Sequence, residues 1–168
     1  MKKTTQKIVT SAMLATLVLI TTIIIKIPSP FRGYLNFGDG AVLVCGWILS
    51  PLCAFFAAGI GSALADIFSG YIIYAPATFI IKGLMALVAS FSLKLINKKS
   101  PSLPCRLIGC VIAEIIMVIG YFLFESILYG FEPSIINIPA NAVQGIFGLI
   151  IGSLLIKAFE KGKIPFLK

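Results

Sequence analysis

The chain is a succession of apolar runs, near residues 8–25, 38–49, 52–68, 75–93, 105–128 and 138–156, separated by short stretches that carry Pro, Gly and Lys. A bilayer core about 30 Å thick is crossed by roughly 17–25 helical residues, and most of these runs have that length. Inside lipid a segment must pair its own backbone N–H and C=O groups, which makes each run a helix. The expected fold is an all-α integral membrane protein, a six-transmembrane-helix bundle forming one domain over residues 1–168. With 59% hydrophobic and 12% charged residues, a water-soluble domain of this length could not hide its apolar surface.

The charges orient the bundle. If the helices alternate in direction, Lys2, Lys3, Lys7, Lys94, Lys98, Lys99, Arg106, Lys157, Lys161, Lys163 and Lys168 fall on one side. Lys26 and Arg32 fall on the other, and Lys82 lies within a helix. The positive-inside rule then places the N- and C-termini in the cytoplasm. The same distribution accounts for the net charge of +8 as a membrane signature rather than a nucleic-acid interface.

The Met1-Lys2-Lys3 start has the outline of a signal peptide, but Ile8–Ile25 is long enough to span. No small-x-small cleavage site precedes Lys26, so the first helix is read as retained. Segments two and three meet at Ser50-Pro51-Leu52, which carries no charge. Two spans and a re-entrant hairpin both satisfy the charge rule there, and the length of the third segment favours two spans. No internal repeat is visible, which speaks against transporter folds built from two related halves. The four cysteines, Cys45, Cys53, Cys105 and Cys110, form no CxxC pair and sit in or beside apolar runs, the usage of small buried hydrophobes. With no His in the chain, no Cys/His metal site forms, and neither metal nor cofactor is expected.

Ionisable and amide groups within spans are costly, so each is a functional candidate. Glu114, Tyr121 and Glu125 recur at i, i+7 and i+11 on helix five, within about 20° of one line at 100° per residue. Asn137, Asn141 and Gln144 form a second stripe on helix six, continued by Gly148 and Gly152. Tyr74, Thr78 and Lys82 form a third at i, i+4 and i+8. Stripes that lipid cannot satisfy should converge. Single polar residues often do no more than join helices, at about 0.6 kcal/mol each, but three stripes at matching depth predict a polar cavity open to the outside. Lys82 either snorkels towards the headgroups or pairs with Asp39, Asp66 or a ligand. Ser11, Ala12 and Ala15 make a small-residue patch on helix one, and Ala57, Gly61 and Ala65 make another on segment three; such spacing lets helices approach closely.

An enzyme is not expected. Asp39 and Asp66 could suggest an intramembrane aspartyl protease, but both lie near the outer ends of their segments and the fuller motif is missing. No phosphate-binding loop is present, and no Ser/His or Cys/His pair can form.

The stretches Gly33-Tyr34-Leu35-Asn36-Phe37-Gly38-Asp39, Gly61-Ser62-Ala63-Leu64-Ala65-Asp66 and Gly70-Tyr71-Ile72-Ile73-Tyr74-Ala75-Pro76-Ala77-Thr78-Phe79-Ile80-Ile81-Lys82-Gly83 resemble the S components of energy-coupling factor transporters. The likeness is nearest the branch for hydroxymethylpyrimidine, vitamin B6 or riboflavin. It implies a prokaryotic cell-membrane protein that captures a small water-soluble vitamin in an outward pocket. It further implies that the protein joins a membrane T component and two cytoplasmic ATPase subunits, and topples in the bilayer to release its cargo. Hydroxymethylpyrimidine or a B6 vitamer is favoured over riboflavin on that likeness. The pocket carried over comprises Tyr34, Asn36, Asp39, Asp66, Tyr74, Thr78, Lys82, Asn141 and Gln144, to which the helix-five stripe adds Tyr121 and Glu125. Docking to the T component falls on Ser11, Ala12 and Ala15, with serine standing for the first alanine of the family's AxxxA pattern. The alternative is a non-transport membrane assembly factor or sensor whose stripes only hold helices together.

Overall fold

The computed structural model describes residues 2–28, 34–95 and 103–162. Six helices make up the bundle: α1 (Lys2–Ile24), α2 (Gly38–Ile48), α3 (Pro51–Phe68), α4 (Ala75–Leu95), α5 (Leu103–Tyr129) and α6 (Phe131–Lys161). Two short strands, β1 (Lys26–Pro28) and β2 (Tyr34–Asn36), form an antiparallel hairpin between α1 and α2. The start of α1 and the end of α6 lie at one end of the bundle, and strands β1 and β2 and the α3–α4 and α5–α6 turns lie at the other. Arg32, Gly33, Lys98, Lys99, Lys163 and Lys168, used above for orientation and resemblance, lie outside the described residues.

Five helices, α1, α3, α4, α5 and α6, are long and apolar enough to cross a membrane. Their outer faces carry large exposed apolar side chains, among them Ile8, Met13, Phe56, Phe91, Ile119 and Leu154, as a lipid solvent allows. The sixth, α2, has only 11 residues and a length of about 16 Å at 1.5 Å per residue. It lies deep in the bundle. Its Asp39 pairs with Lys82, a residue about 10 Å below the start of α4 at the same rise. Its far end reaches the level of Ser90, whose hydroxyl donates to the Leu49 carbonyl at 3.2 Å. Strand β2 thus supplies the depth that α2 lacks, and α3 returns from the termini end, so the pair is no shallow re-entrant hairpin. Pro51 opens α3 at a first-turn position, where a missing N–H costs nothing.

Every residue of α2 from Gly38 to Gly46 is buried. The helix packs against α1, α3, α4 and α6, while α3, α4, α5 and α6 follow one another around it. Glycine makes these approaches possible. A Cβ on Gly46 would lie 2.6 Å from Ala89 Cβ and 2.7 Å from the Ala86 carbonyl oxygen, and one on Gly61 would lie 2.4 Å from the Ala15 carbonyl oxygen. Ala15 therefore faces α3, and the Ser11 hydroxyl is enclosed as well. Of the three small residues expected to dock a partner, only Ala12 is fully on the outer face.

Two local features go beyond the apolar pattern. Residues 26–36, which fall between the first two apolar runs, contain the hairpin, which pairs Lys26 with Asn36, Ile27 with Leu35 and Pro28 with Tyr34. A proline at the end of an edge strand removes no needed ladder bond. Helix α6 begins at Phe131 rather than near 138. Its first turn holds Glu132, which a hydropathy reading rejects, and Pro133 falls where an N–H has no helical partner.

Candidate functional site

The hairpin end of the bundle encloses a polar hollow. Its walls are Tyr34, Leu35 and Asn36 of β2, Asp66 of α3, Tyr71 and Tyr74 of the α3–α4 turn, Thr78 of α4, Tyr121 and Glu125 of α5, and Asn137, Asn141 and Gln144 of α6. The three stripes read from sequence therefore meet in one space. A larger space of about 340 Å³ exists between α5 and α6, but its lining is apolar apart from Glu114 and it has no convergent polar groups. The chemistry lies in the hollow.

The α3–α4 turn sets the aromatic wall. Helix α3 ends in a Schellman arrangement: the Tyr71 N–H bonds the Asp66 carbonyl at 2.8 Å and the Gly70 N–H bonds that of Ile67 at 3.2 Å. Gly70 takes the left-handed conformation this cap needs, with φ of +84°. The chain is thereby swung back so that the Tyr71 ring lies 4.7 Å from that of Tyr34 and 6.3 Å from that of Tyr74. Such tilted ring contacts form a fixed aromatic surface.

Two carboxylates sit behind this wall. Asp66 accepts the Tyr34 hydroxyl at 2.6 Å through Oδ1, while its Oδ2 is enclosed without a hydrogen-bond partner. Glu125 accepts from Asn137 Nδ2 at 3.0 Å and from the Tyr74 hydroxyl at 3.4 Å. Burial, and after it the Asp66 carboxylate, raise the Tyr34 phenol far above its ordinary pKa. Burial, then Tyr129 and Glu125, do the same for Tyr74. Both hydroxyls remain donors across the physiological range. Thr78 and Tyr121 share a hydrogen bond of 3.1 Å across the α4–α5 contact.

The floor is an ion pair. Lys82 Nζ bonds Asp39 Oδ1, and the two side chains are 3% and 0% exposed. The alternatives for Lys82 thus resolve in favour of Asp39, and snorkelling is excluded. Gln144 Nε2 donates to Asp39 Oδ2 at 2.7 Å, and Gln144 Oε1 accepts the Asn36 N–H at 2.9 Å, so one amide ties α2, α6 and β2 together. Lys82 also lies 5.4 Å from the centre of the Tyr121 ring, within cation–π range. Asp39 and Lys82, expected as pocket residues, are beneath the hollow rather than in its walls. Glu114 lies outside it too. Its carboxyl rests against Gly145 and Gly148 and finds no hydrogen-bond partner among the described residues.

Among the expected residues, Tyr34, Asn36, Asp66, Tyr74, Thr78, Tyr121, Glu125, Asn141 and Gln144 all line the hollow. Leu35, Tyr71 and Asn137 join them. Asn137 was legible as part of the α6 stripe and Tyr71 as a tyrosine beside a Gly turn; Leu35 carried no signal. The free space is about 30 Å³, enough for a water or two, since one water needs about 10–15 Å³.

Apolar spans enclosing one polar hollow define a membrane-embedded binding protein. The family model for the ECF-type riboflavin transporter S component matches residues 2–161, and the chain belongs to that family. It is a transport component and not an enzyme. A protein of Pyrococcus woesei, described as an uncharacterized protein in the gap 3′ region, is 35% identical over 152 residues, covering 90% of this chain and 99% of that protein. The S component of a bacterial ECF transporter superposes with a TM-score of 0.74 at 25% identity, over 94% of this chain and 97% of its own. The biotin S component of an ECF-type ABC transporter shares the fold, with a TM-score of 0.57 at 17% identity over 93% of each chain.

Proposed function

We propose that the chain captures a water-soluble vitamin in the polar hollow, as the substrate-binding subunit of an ATP-driven importer in a prokaryotic cell membrane. The observation that carries this reading is the convergence of Tyr34, Asp66, Tyr74, Thr78, Tyr121, Glu125, Asn141 and Gln144 from β2, α3, the α3–α4 turn, α4, α5 and α6 on one space. Flat rings suit the tyrosine wall, and the amides and acids suit polar ring edges. The hollow must widen for any ligand, and a single ring demands less widening than three. That supports hydroxymethylpyrimidine or a B6 vitamer; the family match supports riboflavin as the second reading. The charge pattern of the sequence, read by the positive-inside rule, supports a hollow that faces away from the cytoplasm. Energy comes from partners, a membrane T component and two ATPase subunits. The T component meets the outer face of α1 at Ala12, beside the inward-turned Ser11 and Ala15.

Titration calorimetry on the purified protein with these vitamins is expected to find one ligand below about 1 μM, a binding energy of about 8 kcal/mol. In reconstituted vesicles, Ala12→Trp should keep that binding and lose most uptake. If no water-soluble vitamin binds below the micromolar range, the helix-joining alternative takes its place. Full uptake by the Ala12→Trp variant would remove α1 as the docking face.

A further inference from the structure

The hollow is polar, and among the described residues the charged groups in its walls have one sign. Asp66 and Glu125 stand in its walls, each only 4% exposed. No Lys or Arg lines it among the described residues, and the chain contains no His. The one lysine at that depth, Lys82, is committed to Asp39 below the floor. Lys26, at the exposed surface, donates to the Ser69 hydroxyl at 2.9 Å. The donors within the walls are also largely spent: Tyr34 on Asp66, Tyr74 and Asn137 on Glu125, and Gln144 on Asp39. The neighbouring hydroxyl of Thr78 is shared with Tyr121. Asn141 and Tyr71 bring further polar groups to the walls, and among the enclosed atoms of the described residues the acceptor Asp66 Oδ2, with the Thr78 hydroxyl beside its carboxylate, has no partner within hydrogen-bond distance. An acceptor in that state loses the energy of its missing bond until a donor arrives. An anion placed against the same wall meets a like charge away from water.

Resting on the vitamin-capture reading, we propose that the hollow selects by charge: it takes neutral or cationic heterocycles that present an N–H or O–H donor to Asp66 Oδ2, and rejects their carboxylate- and phosphate-bearing counterparts. Aminopyrimidines, hydroxymethyl pyridines and ring imides fit this description. Acidic vitamins and phosphorylated cofactor forms do not.

Matched pairs test it in titration calorimetry on the full-length protein at pH 7 and one salt concentration. Pyridoxine is compared with 4-pyridoxate, which has nearly the same size, riboflavin with its 5′-phosphate, and hydroxymethylpyrimidine with its phosphate. Whichever parent binds, its anionic counterpart should bind at least about 100-fold more weakly, the effect of a like charge brought against a partly desolvated carboxylate. Asp66→Asn should weaken the parent about tenfold and shrink the ratio between the two forms. Should that variant fail to fold, the ratio measured on the unaltered protein decides alone. An anionic form that binds as well as its parent overturns the charge selection and leaves the capture reading standing. If neither member of any pair binds, the capture reading falls, and the charge selection falls with it.

Discussion

Replacing Lys82 with methionine is expected to destabilise the protein by about 3–5 kcal/mol, because it strands a charged Asp39 in the core. Asp39 is fully buried, and among the described residues Gln144 supplies its only other side-chain donor. The double variant Asp39→Asn, Lys82→Met removes the stranded charge and should recover most of the loss, since buried ion pairs contribute little beyond neutral replacements of similar size. Thermal unfolding in detergent of the two single variants and the double variant checks this. A Lys82→Met protein as stable as the parent would mean that the pair is not dry, and that the floor of the hollow is open to water from below.

The second large effect is expected at Gly46. Adding one methyl group, Gly46→Ala, forces contacts of 2.6 Å with Ala89 and 2.7 Å with the Ala86 carbonyl. Overpacking of this kind costs about 1–3 kcal/mol and occasionally more. Gly61→Ala creates a contact that is shorter still, 2.4 Å to the Ala15 carbonyl, yet its cost should be smaller. Helix α1 has lipid on its outer face and can shift outwards, whereas α2 is held by α1, α3, α4 and α6 and has nowhere to go. Unfolding measurements on the two variants test the ranking; a larger loss for Gly61→Ala would show that α1 is held more firmly than its exposed outer face implies.

The sequence disclosed most of the bundle because lipid is a demanding solvent. Apolar length alone marks α1, α3, α4, α5 and α6, and the polar stripes on α4, α5 and α6 pointed to their meeting place. What stayed hidden depends on depth and on tertiary contact. The partner of Lys82 could not be chosen without knowing that β2 descends into the bundle and starts α2 at the level of Lys82. The first turns of α6 were lost because Glu132 and Pro133 look like loop residues when hydropathy is the only guide, although the polar stripe already placed Asn137 on that helix. Nothing in the apolar pattern marks the hairpin, whose Pro28 is harmless at a strand end. On α1, the small residues Ser11 and Ala15 carried no sign that Gly61 of α3 would claim one face of the helix.

The placement of α2 has a consequence for how cargo could cross. Below the Asp39–Lys82 pair there is only packed helix, with Val42, Leu43, Val44 and Cys45 fully enclosed. The molecule is a cup and not a tube. On the proposed capture reading, a solute seated in it would leave by the rim through which it came, and delivery to the far side of the bilayer would require the vessel itself to be turned.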